Sequence, residues 1–516
     1  MKMSCYLGID AGTSGIKTIV MDNNGVIHGI GYRECDLVTP QPGWVEQDPL
    51  MWWEACDEAV RQALQNSGKA GEIAGIGFSG QMQGCTPFDK DMRPLGNSLI
   101  WLDQRSVHEV QEIYSLISEQ ELMLITANEC LNSFWAPKLL WLRNNEPERY
   151  EKIHKILFAK DYLRYRMTGE ISTEVSDASL SFLMDVPGRK WSKRIFEALD
   201  IPFDIVPERL VESQDITGTL QKKTADSWGL KAGIPVIAGG GDQPAGGVGT
   251  GIVKSGVVGT AIGTSGVVFG CVDKPLFDDK NRAVYSMAHS VPDKWCFLGL
   301  VLSAGGTFKW LRDTIFSDRK TAMEREGLDV YDYMTDLASR SCPGSEGLTF
   351  LPYLNGEKTP INDADARGVF FGLSHRHGLS DICRSVMEGV TFALRDTIEI
   401  CREMGTEVHE IRASGGGAKS GLWRQILADI SQANVLSMNI EEGPAAGGAI
   451  LAAVGAGEFA NVYEACDSLL KVVKVTEPVT ENIKRYDEYY QTYKDLYSAL
   501  KPLFSRQAQI VSEYLE

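Results

Sequence analysis

Apolar and polar positions alternate in the same order in the two halves of the chain. In the first half, Tyr6-Leu7-Gly8-Ile9-Asp10 and the run 16–21 are short apolar stretches split by Gly12-Thr13-Ser14-Gly15; Asp22-Asn23-Asn24-Gly25 then precedes the run 26–33. Short apolar runs bounded by Gly and Asx residues read as strands joined by tight turns. They predict a meander over 5–10, 16–21 and 26–33. An extended Pro-bounded loop, 40–49, leads to Trp53, Cys56, Val60 and Leu64 at helical spacing, which predicts a helix over 50–66. Strands are expected at 73–79 and 98–102, mainly helical structure over 106–170 with an amphipathic piece at 137–142, and mixed, turn-rich structure over 171–235.

The second half repeats the theme, with hairpins predicted at 256–272 and 283–301 and a helix opened by Ser303-Ala304-Gly305-Gly306-Thr307. A strand at 348–354, a long helix at 381–403, a strand at 410–413 and a helix at 422–432 follow. The small-residue helix 445–455 can approach a sheet closely, and the helical tail from 480 presents Tyr486, Tyr489, Tyr490, Tyr493 and Tyr497 as a docking face.

A chain of 516 residues exceeds one hydrophobic core and implies at least two domains. Its net charge of −18 argues against nucleic-acid or anionic-membrane binding, yet leaves room for ATP, which a few local N–H groups and cations can hold. The eleven cysteines form no Cys-x-x-Cys pair, as expected of reduced thiols in a cytoplasmic protein. Met-Lys-Met-Ser-Cys runs directly into a strand, so no signal peptide is expected, and no apolar run nears the roughly 18 residues of a membrane span.

Candidate chemistry gathers at the glycines. The strand 234–238 empties into Gly239-Gly240-Gly241-Asp242-Gln243, where Asp242 is the one acidic side chain. Some twenty residues later Gly263-Thr264-Ser265-Gly266 repeats the Gly12–Gly15 tetrapeptide between strands. Turn N–H groups and hydroxyls of this kind can hold an anion, and two copies in corresponding halves suggest a duplicated phosphate clamp. Asp10 and Asp242 would then supply the carboxylates of phosphoryl transfer, one orienting a metal–phosphate complex and one taking a proton from the attacking hydroxyl. Gly415-Gly416-Gly417 joins a strand to a helix whose N-terminus can face a ligand.

Other site classes fit less well. Lys419 follows Ala418, so no P-loop is present, and Gly75-Ile-Gly-Phe-Ser-Gly80 opens no helix and fails as a dinucleotide fingerprint. His375-Arg376-His377 has no further ligand at zinc spacing, and Ser14, Ser79 and Ser265 lack a nucleophile-elbow context. Gln81, Gln83, Asp103, Arg105 and Gln243 are polar groups of the kind that read several hydroxyls at once.

Taken in order, these motifs resemble the FGGY carbohydrate kinases, most closely the xylulokinase branch, over nearly the whole chain. The resemblance rests on Asp10-Ala-Gly-Thr-Ser-Gly-Ile-Lys17, Gly43-Trp-Val-Glu-Gln-Asp-Pro49, Gln81-Met-Gln-Gly84, Trp101-Leu-Asp-Gln-Arg105 and Ala136-Pro-Lys-Leu-Leu-Trp141. It continues through Gly240-Gly-Asp-Gln243, Gly263-Thr-Ser-Gly266, Leu351-Pro-Tyr-Leu-Asn-Gly-Glu-Lys-Thr-Pro360, Ala366-Arg-Gly-Val-Phe-Phe-Gly-Leu373 and Gly415-Gly-Gly-Ala-Lys-Ser-Gly-Leu-Trp423.

The resemblance implies an α/β fold of two actin/Hsp70-like (ribonuclease H-like) domains, 1–250 and 251–475, with an ATP/sugar cleft between them and a helical segment, 476–516, packed back on the domains. It also implies ATP and Mg2+, with Asp242 as base and Asp10 beside the metal. Gly12, Thr13, Ser14, Lys17, Gly263, Thr264, Ser265, Gly305, Lys309, Gly416, Gly417 and Ser420 would hold the nucleotide; Met82, Gln83, Asp103, Arg105 and Gln243 would line the sugar pocket.

Two positions depart from the xylulokinase pattern: Met82-Gln83 stands for the usual Met-His, and Asp242-Gln243 for Asp-Asn. The expected reaction is phosphorylation of a primary hydroxyl of a pentulose, D-xylulose first. Ribulose, gluconate, glycerol or erythritol, or a non-catalytic nucleotide-gated sugar-binding protein, are the alternatives. The partners are a small sugar and ATP, without nucleic acid or membrane; a homodimer is compatible with the chain.

Overall fold

The computed structural model describes residues 4–278 and 282–514. Met1–Met3, which carry part of the signal-peptide expectation, and the last two tail positions lie outside the described residues. Strands β1 (Cys5–Ala11), β2 (Gly15–Asp22) and β3 (Ile27–Glu34) form the expected antiparallel meander. Helix α1 (Pro49–Ser67) covers one face of it; the Asp48 carboxylate accepts from the Leu50 N–H at 2.8 Å, and Pro49 sits in the first turn, where no donor is needed. Trp52 fills the core, while Trp53 is only half-buried, stacked on Trp228 at 6.1 Å. One residue of helix turns the side chain by about 100°, so adjacent tryptophans face different ways.

β4 (Ile73–Gly80) runs parallel to β1. The strand expected at 98–102 pairs only at Ser98–Leu99, because the chain then turns, with the Asp103 N–H donating to the Ile100 carbonyl at 3.1 Å. Helix α2 (Trp135–Asn145) contains the piece expected to be amphipathic, and every residue from Trp135 to Leu142 is buried, Lys138 included. Helices α3 (Ala159–Thr168) and α4 (Val175–Ser179) follow, then strands β5 (Ile216–Thr219), β6 (Pro235–Ile237) and β7 (Gly240–Gly241), which runs straight into α5 (Asp242–Thr250). The first sheet has the order β5-β6-β4-β1-β2-β3, with β7 also on β4.

The second lobe repeats this plan. β8 (Val257–Ile262), β9 (Gly266–Val272), β10 (Val284–Ala288) and β11 (Trp295–Val301) are antiparallel. Helices α6 (Gly305–Thr314), α7 (Val330–Ser339) and α8 (Leu379–Glu403) precede β12 (Glu410–Ser414), which is parallel to β8 as β4 is to β1. Then come α9 (Gly421–Ser431), β13 (Asn434–Met438), α10 (Gly443–Gly455), β14 (Val472–Thr476) and α11 (Thr480–Tyr514). The second sheet has the order β10-β11-β9-β8-β12-β13-β14. The strand expected at 348–354 is shorter, Thr349–Leu351, and pairs with Val369–Phe371 outside both large sheets.

The lobes meet through two helices of small residues. α10 lies in sequence between β13 and β14 of the second sheet, yet its Ala445–Ala452 stretch packs on β1 and β4 of the first. A Cβ on Gly8 would lie 1.9 Å from the Ala445 carbonyl oxygen, and one on Gly77 2.1 Å from that of Gly448. The Gly75–Gly80 spacing is thus a helix-packing groove. α5 crosses α10 as closely: a Cβ on Gly447 would lie 1.8 Å from the Ala245 oxygen.

The tail docks through its tyrosines as the pattern predicts. Tyr486 donates to Glu388 at 2.7 Å, Tyr490 to Asp396 at 2.6 Å and Tyr497 to Asp363 at 2.9 Å, while Tyr493 meets Tyr353 at 2.7 Å. All eleven thiols are free and all but Cys342 are buried. Among the described residues no helix is long and apolar enough to cross a membrane.

Candidate active site

Three neighbouring strands carry the carboxylates to one edge. Asp10 on β1 is paired in register with Ser79 on β4, and Ser79 with Gly240 on β7. The Ser79 hydroxyl donates to Asp10 at 2.8 Å. One step further, Ala11, Gly80 and Gly241 align, and Asp242 begins α5. A carboxylate in the first helical turn is favoured by the backbone dipoles.

Burial nevertheless dominates at Asp242. It lifts the carboxyl from 3.8 to about 7, Asp10 pushes the same way, and hydrogen bonds from the Gln243 backbone and side chain pull partly back. Asp10 is raised to about 6 by burial, against the Ser79 hydrogen bond and the Lys17 charge. Two acids so close, one near neutrality, are suited to moving a proton at physiological pH.

The first glycine turn is tied to its surroundings. The Thr13 hydroxyl accepts from Trp101 Nε1 at 2.9 Å and donates to Gln81 Oε1 at 3.3 Å, and the Thr13 carbonyl accepts from Gln47 Nε2 at 2.7 Å. The Ser14 carbonyl accepts from the Tyr32 hydroxyl at 3.1 Å. Lys17 crosses to the other lobe and pairs with Glu442 at 2.6 Å.

The second glycine turn lies on a cavity of about 650 Å³. Gly263, Thr264, Gly305, Lys309, Gly416, Gly417 and Ser420 line it, whereas Gly12, Thr13, Ser14, Lys17 and Ser265 do not. The Gly305 and Gly306 N–H groups donate to the Gly263 and Thr264 carbonyls at 2.7 and 2.9 Å, which fixes α6 on the turn. The Ser420 hydroxyl caps α9 by accepting from the Trp423 N–H at 3.2 Å. Asp329, Tyr331, Asp332 and Thr335, at and within α7, complete the wall. Nothing local in the sequence distinguishes them from an ordinary surface helix.

The polar residues assigned to a sugar pocket divide into two groups. Met82 is buried, and a Cβ on Gly241 would lie 2.7 Å from its sulfur, which places it against the segment that launches Asp242. Gln83 and Gln243 are half-buried, and Gln83 has a left-handed backbone, φ 67°. Asp103 and Arg105 instead bind each other: Arg105 Nε and Nη2 donate to the two Asp103 oxygens at 2.9 and 2.7 Å. Arg105 also reaches Glu46 at 2.6 Å and lies 3.8 Å above the Trp44 ring, while Asp103 accepts from the Val45 N–H at 2.7 Å.

Lys138 joins the two groups. Its ammonium donates to the carbonyls of Gln83 and Ile100, each at 2.9 Å. Burial lowers its pKa to about 7, against the pull of Cys85 and Asp103. Its signal in the sequence is one lysine inside an otherwise apolar run, Pro137 to Leu142.

Residues 5–249 match the N-terminal domain, and residues 259–456 the C-terminal domain, of the FGGY family of carbohydrate kinases. The chain is 36% identical to the xylulose kinase of Escherichia coli K12, with 97% of this chain and all of that one aligned. It is 35% identical to the xylulose kinase of Bacillus subtilis 168, over 97% of this chain and 98% of that one. The crystal structure of a xyloylose kinase from Brucella ovis superposes with a TM-score of 0.88 at 34% identity, covering 97% of this chain and 100% of that chain. With the repeated two-lobe plan, these likenesses establish that the chain belongs to the FGGY family of carbohydrate kinases.

Proposed function

We propose that this protein is an ATP-dependent kinase that phosphorylates a primary hydroxyl of D-xylulose. The observation that carries the reading is Asp242, a half-buried carboxylate near neutrality at the start of α5 beside Asp10. In this reading Asp242 takes the proton from the attacking hydroxyl, and Met82, Gln83 and Gln243 contact the sugar. Asp103 and Arg105 act on the pocket wall through Trp44 and Glu46. The cavity under the second glycine turn takes the adenosine end of ATP, so the sugar and base belong to the first lobe and the nucleotide to the second. Closure of the lobes excludes water, which would otherwise compete for the phosphoryl group.

Among the described residues no cluster of three or more His, Cys, Asp or Glu could cage a metal ion. Mg2+ suits a site of this kind, because it is commonly held by one or two carboxylates plus substrate phosphates. Asp10 is the residue that would hold it, and the ion would neutralise charge on the phosphates.

Gln83 and Gln243 favour a second reading, in which the acceptor is another ketose or polyol of different hydroxyl arrangement. A coupled assay with ATP and a panel of D-xylulose, ribulose, gluconate, glycerol and erythritol decides between them. The highest kcat/KM is expected for D-xylulose, and Gln83→His should change that preference more than it changes the KM for ATP. No phosphorylated product from any member of the panel would refute both kinase readings.

Lys138→Met keeps the stem of the side chain and removes its donors. The Gln83 carbonyl then loses its anchor, and a rise of roughly tenfold in the KM for the sugar is expected, with the KM for ATP changed less than about twofold. Steady-state kinetics in both substrates check the split.

A further inference from the structure

The two-residue strand that delivers Asp242 is held from behind by charged groups that the reaction as described does not use. Lys160 and Arg164 on α3 are wholly buried with Asp161, Glu174 and Asp177. Lys160 Nζ lies 3.0 Å from Asp161, 3.3 Å from Glu174 and 2.9 Å from Asp177, and Arg164 lies 3.1 Å from Asp161. Burial opposes the charge on Lys160, and the three carboxylates overcome it, holding the ammonium above the usual lysine range. Burial pushes Asp177 well above the ordinary carboxylate range, against the attraction of Lys160.

Three backbone groups leading to Asp242 are fixed by this cluster or by the segment attached to it. Arg164 Nη1 donates to the Ala238 carbonyl at 3.0 Å. The Gly239 N–H donates to the Ser213 carbonyl at 2.9 Å, and the Ser213 hydroxyl donates to Glu174 at 2.9 Å. The Gly241 N–H donates to the Ser176 hydroxyl at 3.0 Å, and that hydroxyl donates to Glu174 Oε1 at 2.9 Å. Gly239 itself is left-handed, φ 79°, a bend that needs anchors on both sides to keep one direction.

We propose that Ser176, backed by the Glu174–Lys160 ion pair, is a positioning residue for phosphoryl transfer: it fixes the Gly241 amide and thereby the direction of the Asp242 carboxylate. This rests on the reading of Asp242 as the base. A misplacement of the base by about 1 Å is enough to slow transfer roughly 100-fold, and hydrogen bonds to charged groups are the stronger kind.

Ser176→Ala tests the idea with the smallest change, since replacing Lys160 would strand buried carboxylates and is expected to prevent folding. Its kcat should fall roughly 10- to 100-fold, with the KM values for ATP and sugar changed less than about twofold. In the Asp242→Asn background the same change should lower the residual rate by less than about twofold, because there is no base left to aim. Wild-type kcat in Ser176→Ala, with Asp242→Asn inactive, would overturn the proposal alone. So would a deficit that vanishes once rates are normalised to the nucleotide-binding fraction. Wild-type turnover in Asp242→Asn would instead remove the reading beneath it.

Discussion

Asp242→Asn is expected to lower kcat by roughly 1,000-fold while leaving the KM for ATP within about twofold, since general-base catalysis contributes about 100- to 10,000-fold. Asn keeps the shape of the side chain and its place at the start of α5, so the loss should reach chemistry without reaching the fold. In the unmodified protein the base is competent only when ionised. With its pKa near 7, activity should therefore rise with pH through about 7. The same shift has the opposite consequence for stability. The folded carboxyl holds its proton up to about 7, whereas the unfolded one releases it near 3.8. Native stability therefore declines as pH rises between those values. The Asn variant avoids this decline: its melting temperature should exceed that of the parent at pH 8, and the gap should close as the pH falls toward 4. Near-wild-type turnover, or a melting gap independent of pH, would count against the assignment.

Gly8→Ala should be among the most destabilising single-methyl changes in the chain. The added carbon would lie 1.9 Å from the Ala445 oxygen and 2.8 Å from the Ala449 nitrogen. Both are backbone atoms of α10, which cannot rotate away as a side chain can. Overpacking a core costs about 1–3 kcal/mol where side chains yield, and more is expected here, about 4 kcal/mol. Gly71 supplies the contrast, because nothing lies within 4 Å of a Cβ there. Gly71→Ala should change stability by less than about 0.5 kcal/mol. Thermal or denaturant unfolding of the two variants against the parent measures both; equal stabilities would refute the close helix–sheet contact.

The parts of this molecule that could be read from the sequence are those fixed by neighbours in the chain. The glycine turns at 12–15 and 263–266, the strands around them and Asp10 and Asp242 follow from local steric rules. The tyrosines of α11 also declared their face, because helical spacing alone puts Tyr486, Tyr490, Tyr493 and Tyr497 in a row. Partnerships across the fold left no comparable trace. Asp103 and Arg105 stand two residues apart and looked available, yet they close on each other, and Arg105 also pairs with Glu46. Lys17 sits in a phosphate-like motif and pairs with Glu442, more than 400 residues away in the chain. The wall of the nucleotide cavity at Asp329 to Thr335 exists only once α7 is laid beside the second glycine turn.

The route of α10 has a bearing on how the molecule can be divided. A fragment ending at Thr250 would carry the first sheet and both acids, but Gly8, Gly77 and their neighbours would open as a bare trough to water. Each half supplies a rib that the other needs, so the two are made to be completed together, and cutting between them severs an organ shared by both.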